Sequence, residues 1–184
     1  ADNWDRELLQ RLIETGLFTL RIGIESGDQA VLDRSCKGID LEQARETLQL
    51  ADSLGIRNHI SFVMGMPGES WESVERTIRY IKSVPADSVQ FSVAIPFPGT
   101  EFHRQLEEQG HIVTRDWREY NGYDHVVMRT ESMTADEIMG AITRARRRIY
   151  FSPRFIKRRL GYLRDLRDLA ALARKVFRLL GPRT

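Results

Sequence analysis

The amino-acid sequence predicts an α/β fold: a partial β/α (TIM-like) barrel of about three parallel strands with helices, plus a C-terminal helical extension. Two observations predict it. Apolar strand-like runs and amphipathic helix-like runs alternate through the first hundred residues, the pattern of a parallel sheet covered by helices. The strand-like runs end near Glu25, Met64 and Ile95, so successive units span roughly 30 to 40 residues, as in a β/α barrel or an open doubly wound sheet. An eight-unit barrel needs about 250 residues, and three strands cannot close one. Either the sheet is open, or the missing strands lie outside this sequence.

Taken in order, Trp4 to Thr15 places Trp4, Leu8, Leu9, Leu12 and Ile13 at helical spacing, and Gly16 stops the helix. Leu17–Ile24 reads as a strand, and a short helix is expected over Gln29–Ser35. Asp40 caps a longer helix to about Leu54, ended by Gly55. His59–Met64 is the second strand, Ser70 caps a helix to about Lys82, Ser88–Ile95 is the third strand, and Thr100 caps a helix ending near Gly110. The strands are mostly apolar, which predicts burial on both faces. Residues 111–133 read as irregular, with Trp117, Tyr120 and Tyr123. Thr134 opens a helix to about Tyr150, with Asp136 and Glu137 suited to its positive N-terminal end. Pro153 restarts the helix, and apolar residues recur every three or four positions from Ile156 to Leu180. The expected organisation is thus 1–110, the half-barrel, and 111–184, an irregular segment with a basic helical extension.

Composition narrows the function. The chain has 184 residues, 41% hydrophobic and 29% charged, ordinary for a globular protein and far from a disordered one. A lone Cys36 rules out a disulfide framework and any metal site built from several cysteines of this chain. No apolar run approaches the roughly 18 residues of a membrane span, and the first residues do not read as a signal peptide. The sequence does not begin with Met and is expected to be a piece of something longer. Scarce cysteine fits a reducing compartment, so a cytoplasmic location is expected, with a peripheral membrane position as the variant. The net charge of +2 hides a division: residues 1–143 carry −10, and Arg144 to Thr184 carry +12.

In parallel α/β architectures ligands bind at the C-terminal ends of strands, and three such ends stand out. The first is Arg21-Ile-Gly-Ile-Glu25-Ser26-Gly27. A carboxylate and a hydroxyl there can hydrogen-bond a ribose or an amine, and Gly23 inside the strand signals a close approach to the backbone. Alternatively, Glu25 forms an ion pair and Ser26 caps the next helix. The second is Phe62-Val-Met-Gly65-Met66-Pro67-Gly68-Glu69-Ser70, a strand running into a Gly-x-Pro-Gly turn whose bare backbone suits a flat ring or a carboxylate, or serves only as a tight turn. The third is Phe91-Ser-Val-Ala-Ile95-Pro96-Phe97-Pro98-Gly99-Thr100, whose Val93, Ala94 and Ile95 suit an adenine pocket or are simply a buried strand before a stiff loop.

These three motifs, in this order and at this spacing, resemble the second half of a radical S-adenosylmethionine enzyme. The likeness is to the cobalamin-associated branch that includes anaerobic Mg-protoporphyrin ester cyclases and several methyltransferases. It covers about residues 1–110. The segment with Trp117, Tyr120 and Ser-Met-Thr-Ala-Asp-Glu is similar to that branch's C-terminal extension. The resemblance implies that Glu25 contacts the ribose and amino group of the nucleotide cofactor, with Ser26 beside it. It implies that Lys37 meets the cofactor carboxylate and that Ser61 contacts the ribose. Val63 and Gly65 then face the adenine, with Ala94 and Ile95 backing it. The implied cofactors are S-adenosylmethionine, a [4Fe–4S] cluster with ligands outside this chain and, in the full-length protein, a cobalamin on a preceding domain. The implied chemistry is reductive cleavage to a 5′-deoxyadenosyl radical, or methyl transfer through cobalamin, with the substrate over the barrel mouth.

One departure matters. The family holds its cluster in a C-x-x-x-C-x-x-C loop, and this chain has only Cys36, in Arg-Ser-Cys-Lys-Gly, which reads as a structural thiol. The sequence is therefore expected to be a fragment that holds cofactor contacts but is inactive alone, its main partner the missing N-terminal half of the same protein. A small-molecule, lipid-like or tetrapyrrole substrate is expected. His59, His103, His111 and His125 show no metal-ligand spacing.

Two other readings compete. One is a non-catalytic binding or membrane-docking module, drawn from the basic tail (Arg144-Ala-Arg-Arg-Arg148, Lys157-Arg-Arg159). That tail either packs on the acidic part of the chain or lies on anionic lipid; nucleic acid is disfavoured, since few aromatics interleave with the cations. The other is an unrelated β/α hydrolase or lyase using Glu25 and Glu69 as acid and base. Exposed strand edges predict self-association of the fragment.

Overall fold

The computed structural model describes residues 4–161. Helix α1 (Arg6–Glu14) leads into strand β1 (Thr19–Glu25), then α2 (Gln29–Arg34) and α3 (Leu41–Ser53). Next come β2 (Arg57–Met64), α4 (Trp71–Ser83), β3 (Ser88–Val93) and α5 (Glu101–Glu108). A 3-10 turn at Trp117–Glu119 follows, then α6 (Ala135–Tyr150) and α7 (Pro153–Leu160). The three strands form one parallel sheet in the order β1-β2-β3, as the alternation predicts.

Side-chain caps set where the helices start. Asp5, Asp28, Asp40, Ser70, Thr100, Thr134 and Ser152 each accept a hydrogen bond from a first-turn N–H, satisfying donors that the helix itself cannot. Strand bounds shift from expectation for local reasons. The Leu17 N–H still bonds the Leu12 carbonyl at the end of α1, so β1 starts at Thr19. Phe97 N–H bonds the Ile95 carbonyl, so the chain is already turning where the third strand was expected to continue. The apolar repeat expected beyond residue 161 lies outside the described residues.

The expectation that the strands are buried on both faces is overturned. Along β2, Asn58, Ile60, Phe62 and Met64 are buried, while Arg57, His59, Ser61 and Val63 are not. In β3, Val89, Phe91 and Val93 are buried, and Ser88, Gln90 and Ser92 face the other way. Alternation with this period places one side chain set on each face. The buried face meets the helices: Phe62 and Phe91 are fully enclosed with ring centroids 6.0 Å apart, among Ile60, Met64, Val74, Ile78 and Ile138. A second cluster, Leu9, Leu20, Ala51 and Ile56, fastens α1 and α3 to β1. No described element covers the opposite face.

The extension shares the main core. Ile138, Ala141, Ile142, Ala145 and Ile149 of α6 are buried, against α4 and β3. Its cations are partly neutralised within the fold. Arg144 and Arg148 pair with Glu75, and Arg158 of α7 pairs with Asp87 and Asp52. The extension also closes the outer edge of β3. Tyr150 Oη donates to the Val89 carbonyl at 2.6 Å and Arg146 to the Phe91 carbonyl at 3.4 Å. Val93 N–H donates to the Gly122 carbonyl at 2.8 Å. These bonds occupy groups that would otherwise template another strand. Among the described residues no strand pairs with the outer edge of β1.

Candidate functional site

The uncovered face of the sheet is polar and ordered in rows by the strand register. Arg21, His59 and Ser88 stand side by side; Gly23, Ser61 and Gln90 form the next row toward the C-terminal ends. In the lower row, His59 Nδ1 lies 2.7 Å from Ser88 Oγ. Burial first, and the Arg21 guanidinium second, hold the His59 ring below its ordinary pKa.

Glu25 closes β1 in an unusual way. Its φ is +69°, a left-handed conformation that residues with a Cβ rarely adopt. The Ser26 N–H bonds the Ile24 carbonyl at 2.9 Å, so Glu25 is the centre of a three-residue γ-turn of the strained hand. The ladder slips at the same place, between Gly23 and Glu25, a bulge that re-aims the side chain. The carboxylate folds back over Gly23: a Cβ at Gly23 would lie 3.0 Å from Glu25 Oε1 and 3.5 Å from Ser61 Oγ. The close approach that Gly23 signals is thus made by Glu25 itself. Lys37, on the loop after α2, reaches Glu25 Oε1 at 3.3 Å.

The other sequence-predicted positions divide. Val63 shares the uncovered face with Ser61 and is half-buried. Gly65, just past the end of β2, is buried with φ +86°; Met128 and Ile138 fill the side where a Cβ would be, and its N–H is taken by the Glu69 carboxylate. Ala94 is buried and donates its N–H to the Met64 carbonyl. Ile95 packs against Gly122. Ser26 is placed elsewhere. It is 1% exposed, lies 3.4 Å from Thr77 Oγ1 under α4, and accepts from the Asp28 N–H. Its hydroxyl is used inside the fold, so the expected contact from Ser26 is not carried further.

Glu69 does not join Glu25. It is 1% exposed and turned into the loop after β2, where the Gly65 N–H donates to Oε2. Burial is the main cause that pushes its pKa up to about 7. An acid–base pair of Glu25 and Glu69 on one surface is therefore not formed. Among the described residues no three His, Cys, Asp or Glu side chains converge on a metal position. Cys36 is exposed, and the residues present do not fit an iron–sulfur cluster. No helix of the described residues is long and apolar enough to cross a membrane.

Missed at the level of sequence were the γ-turn at Glu25 and the polar face carrying His59, Ser61 and Gln90. The signal for that face was present, in the alternation Arg-Asn-His-Ile-Ser-Phe-Val-Met of β2.

Comparison with known proteins points to one superfamily. Residues 2–81 match the family model of the Radical SAM superfamily. An uncharacterized methyltransferase of Pyrococcus horikoshii is 29% identical over 156 residues, 85% of this chain and 34% of the relative. The cytidylyl-2-hydroxyethylphosphonate methyltransferase of Streptomyces wedmorensis is 34% identical over 115 residues, 59% of this chain and 22% of the relative. An anaerobic magnesium-protoporphyrin IX monomethyl ester cyclase of Rubrivivax gelatinosus is 24% identical over 153 residues, 83% of this chain and 27% of the relative. The chain thus spans about a third or less of the length of these relatives. Among solved structures, the radical S-adenosylmethionine methyltransferase TsrM of Kitasatospora setae, with cobalamin and a [4Fe–4S] cluster bound, superposes with a TM-score of 0.53. The identity is 23%, covering 59% of this chain and 20% of that one. At that identity the likeness is one of fold.

Proposed function

We propose that this chain is the cofactor-cradling part of a radical S-adenosylmethionine enzyme of the cobalamin-associated type, and that the nucleoside of S-adenosylmethionine lies on the uncovered face of the sheet. The observation that carries the proposal is Glu25. A carboxylate held at φ +69° on a bulge, over a glycine and beside Ser61, is in a conformation that costs about 1–3 kcal/mol. Such strain persists where function selects it. The superfamily match over residues 2–81 and the methyltransferase and cyclase relatives point the same way.

In this reading the Glu25 carboxylate accepts hydrogen bonds from ribose hydroxyls, and Ser61 orients the same ring. Val63, with the backbone at Gly65, packs on the adenine. Ala94 supports that wall from behind and Ile95 bounds it. Lys37, with 47% side-chain exposure, exchanges its Glu25 pair for the cofactor carboxylate, and the ribose hydroxyls replace it at the Glu25 carboxylate, which is 17% exposed. When bound, S-adenosylmethionine supplies methyl-transfer or radical chemistry, the latter with an electron from a cluster carried by residues other than those described. The remainder of a longer protein would cover the uncovered face and complete the site. Substrate class, cobalamin use and any membrane association through the basic extension belong to that whole protein.

Calorimetric titration with S-adenosylmethionine tests the proposal. Saturable binding that weakens about tenfold in Glu25→Gln is expected. Equal affinity in both proteins would remove Glu25 from the site. For the whole protein, the coding sequence upstream of Ala1 is expected to hold three cysteines at C-x-x-x-C-x-x-C spacing, and an unrelated domain there would contradict the assignment.

A further inference from the structure

Three carboxylates are enclosed among the described residues: Asp28, Glu69 and Asp87. Asp28 meets Arg76 at 2.6 Å and Asp87 meets Arg158 at 2.6 Å. Glu69 instead meets peptide groups. The Gly65 N–H donates to its Oε2 at 2.5 Å, and the Met66 backbone beside it also favours its charge. These amides open the turn that follows β2, and Gly65 and Gly68 both take the positive φ that the turn needs (+86° and +76°). The carboxylate fills the concavity of its own turn as a bound anion fills a nest of backbone N–H groups.

The surroundings sharpen the role. From α2, Asp28 faces Glu69 with like charge and is itself held by Arg76 of α4. Arg34, also of α2, lies across Gly68. From the extension, Met128 and α6 residue Ile138 close over Gly65, and both are apolar. From α4, the Ser70 and Ser73 hydroxyls are engaged in the capping box. Little therefore stabilises the charge of Glu69 except the Gly65 amide it holds and the Met66 backbone beside it.

We infer that Glu69 is a positioning residue: its ionised carboxylate clamps the Gly65–Gly68 turn through the Gly65 amide, protonation releases the clamp, and nucleotide affinity at the proposed site follows the charge of this side chain. The inference rests on reading Val63 and Gly65 as nucleotide contacts. Protonation leaves a neutral acid, whose oxygens accept more weakly than a charged pair. Burial raises the Glu69 pKa most, the amides oppose it, and Asp28 adds to the rise, giving about 7. Above that value the turn is held; below it Gly65 relaxes.

The test is a pH titration of the 184-residue chain, followed by NMR at the Gly65 amide and the Glu69 side-chain carboxyl carbon. Both signals are expected to move together with a midpoint near 7, and in Glu69→Gln the Gly65 amide is expected to stay flat from pH 5 to 9. A Gly65 amide that does not titrate, or that titrates unchanged in the variant, overturns the inference. If Glu69→Gln does not fold, the shared midpoint in the unaltered chain decides alone. The second arm is calorimetry with S-adenosylmethionine at pH 6 and pH 8. Affinity is expected to fall about fivefold or more at the lower pH and to become pH-independent in Glu69→Gln. A pH-independent affinity in the unaltered chain overturns the link to binding. Absence of binding at both pH values, with Gly65 still titrating, overturns the reading of the ligand instead.

Discussion

Strand β2 presents two surfaces that differ by one residue in sequence and entirely in chemistry. Phe62 and Met64 are sealed under α4 and α6, while Ser61 and Val63 look out from an uncovered face. The first surface folds the chain and the second is available to a ligand or to another part of a longer protein. The difference teaches that alternation, not overall apolarity, marks the uncovered side of these strands.

The comparison breaks most visibly through substitutions at neighbouring positions. Phe62→Ala, at 0% exposure, is expected to cost about 3–5 kcal/mol. Ser61→Ala is expected to change stability by less than about 0.5 kcal/mol while weakening nucleotide binding. Urea denaturation with parallel calorimetry checks both, and a large stability loss at Ser61 would mean the open face is structural.

Next in size is the pH dependence of stability from Glu69. Its pKa is raised from 4.5 to about 7 by burial. Between these values the folded chain keeps a proton that the unfolded chain has released. Stability from this group therefore falls as pH rises through that window, by about 3 kcal/mol, and is level above it. Denaturation from pH 4.5 to 8 is expected to show this slope as the difference between the unaltered chain and Glu69→Gln.

Arg158→Ala is expected to cost about 2 kcal/mol, because it takes the guanidinium away from Asp87, which is 5% exposed and also accepts from the Asn58 N–H. A thermal melt checks it, and a neutral result would show that α7 contributes little to the core. Smallest is Glu25→Gly. Relief of the left-handed conformation is expected to stabilise the fold by about 1 kcal/mol while removing nucleotide binding. Loss of stability there would argue that the Glu25–Lys37 pair, not a ligand, maintains the turn.

Much of the architecture was legible in the residues. The caps at Asp40, Ser70, Thr100 and Thr134 and the parallel order follow from local chemistry that a short window contains. The burial of only one sheet face did not follow, because what covers a strand is a property of the whole assembly. Glu25 lies beside Lys37 and near Ser61, and Val63 shares the Ser61 face of the sheet. Ser26 is turned under α4 instead, a placement hidden from the sequence because Thr77, whose hydroxyl meets both Ser26 and the Gly27 N–H, is distant in the chain. The edge of β3, closed by Arg146, Tyr150 and Gly122, was equally hidden. Packing of the basic residues on the acidic part of the chain was one of the two readings the charge run allowed, and the described cations of α6 and α7 do pair there, but their partners Glu75 and Asp87 could not be named from it.

The most direct measurement is a map of backbone amide shifts on adding S-adenosylmethionine to this chain. Saturable shifts are predicted at Gly23, Glu25, Lys37, Ser61, Val63 and Gly65, with Ala51, Thr77 and Ile142 of the covered side unmoved. Shifts confined to the helices, or none at saturating ligand, would contradict a nucleotide site on the uncovered face.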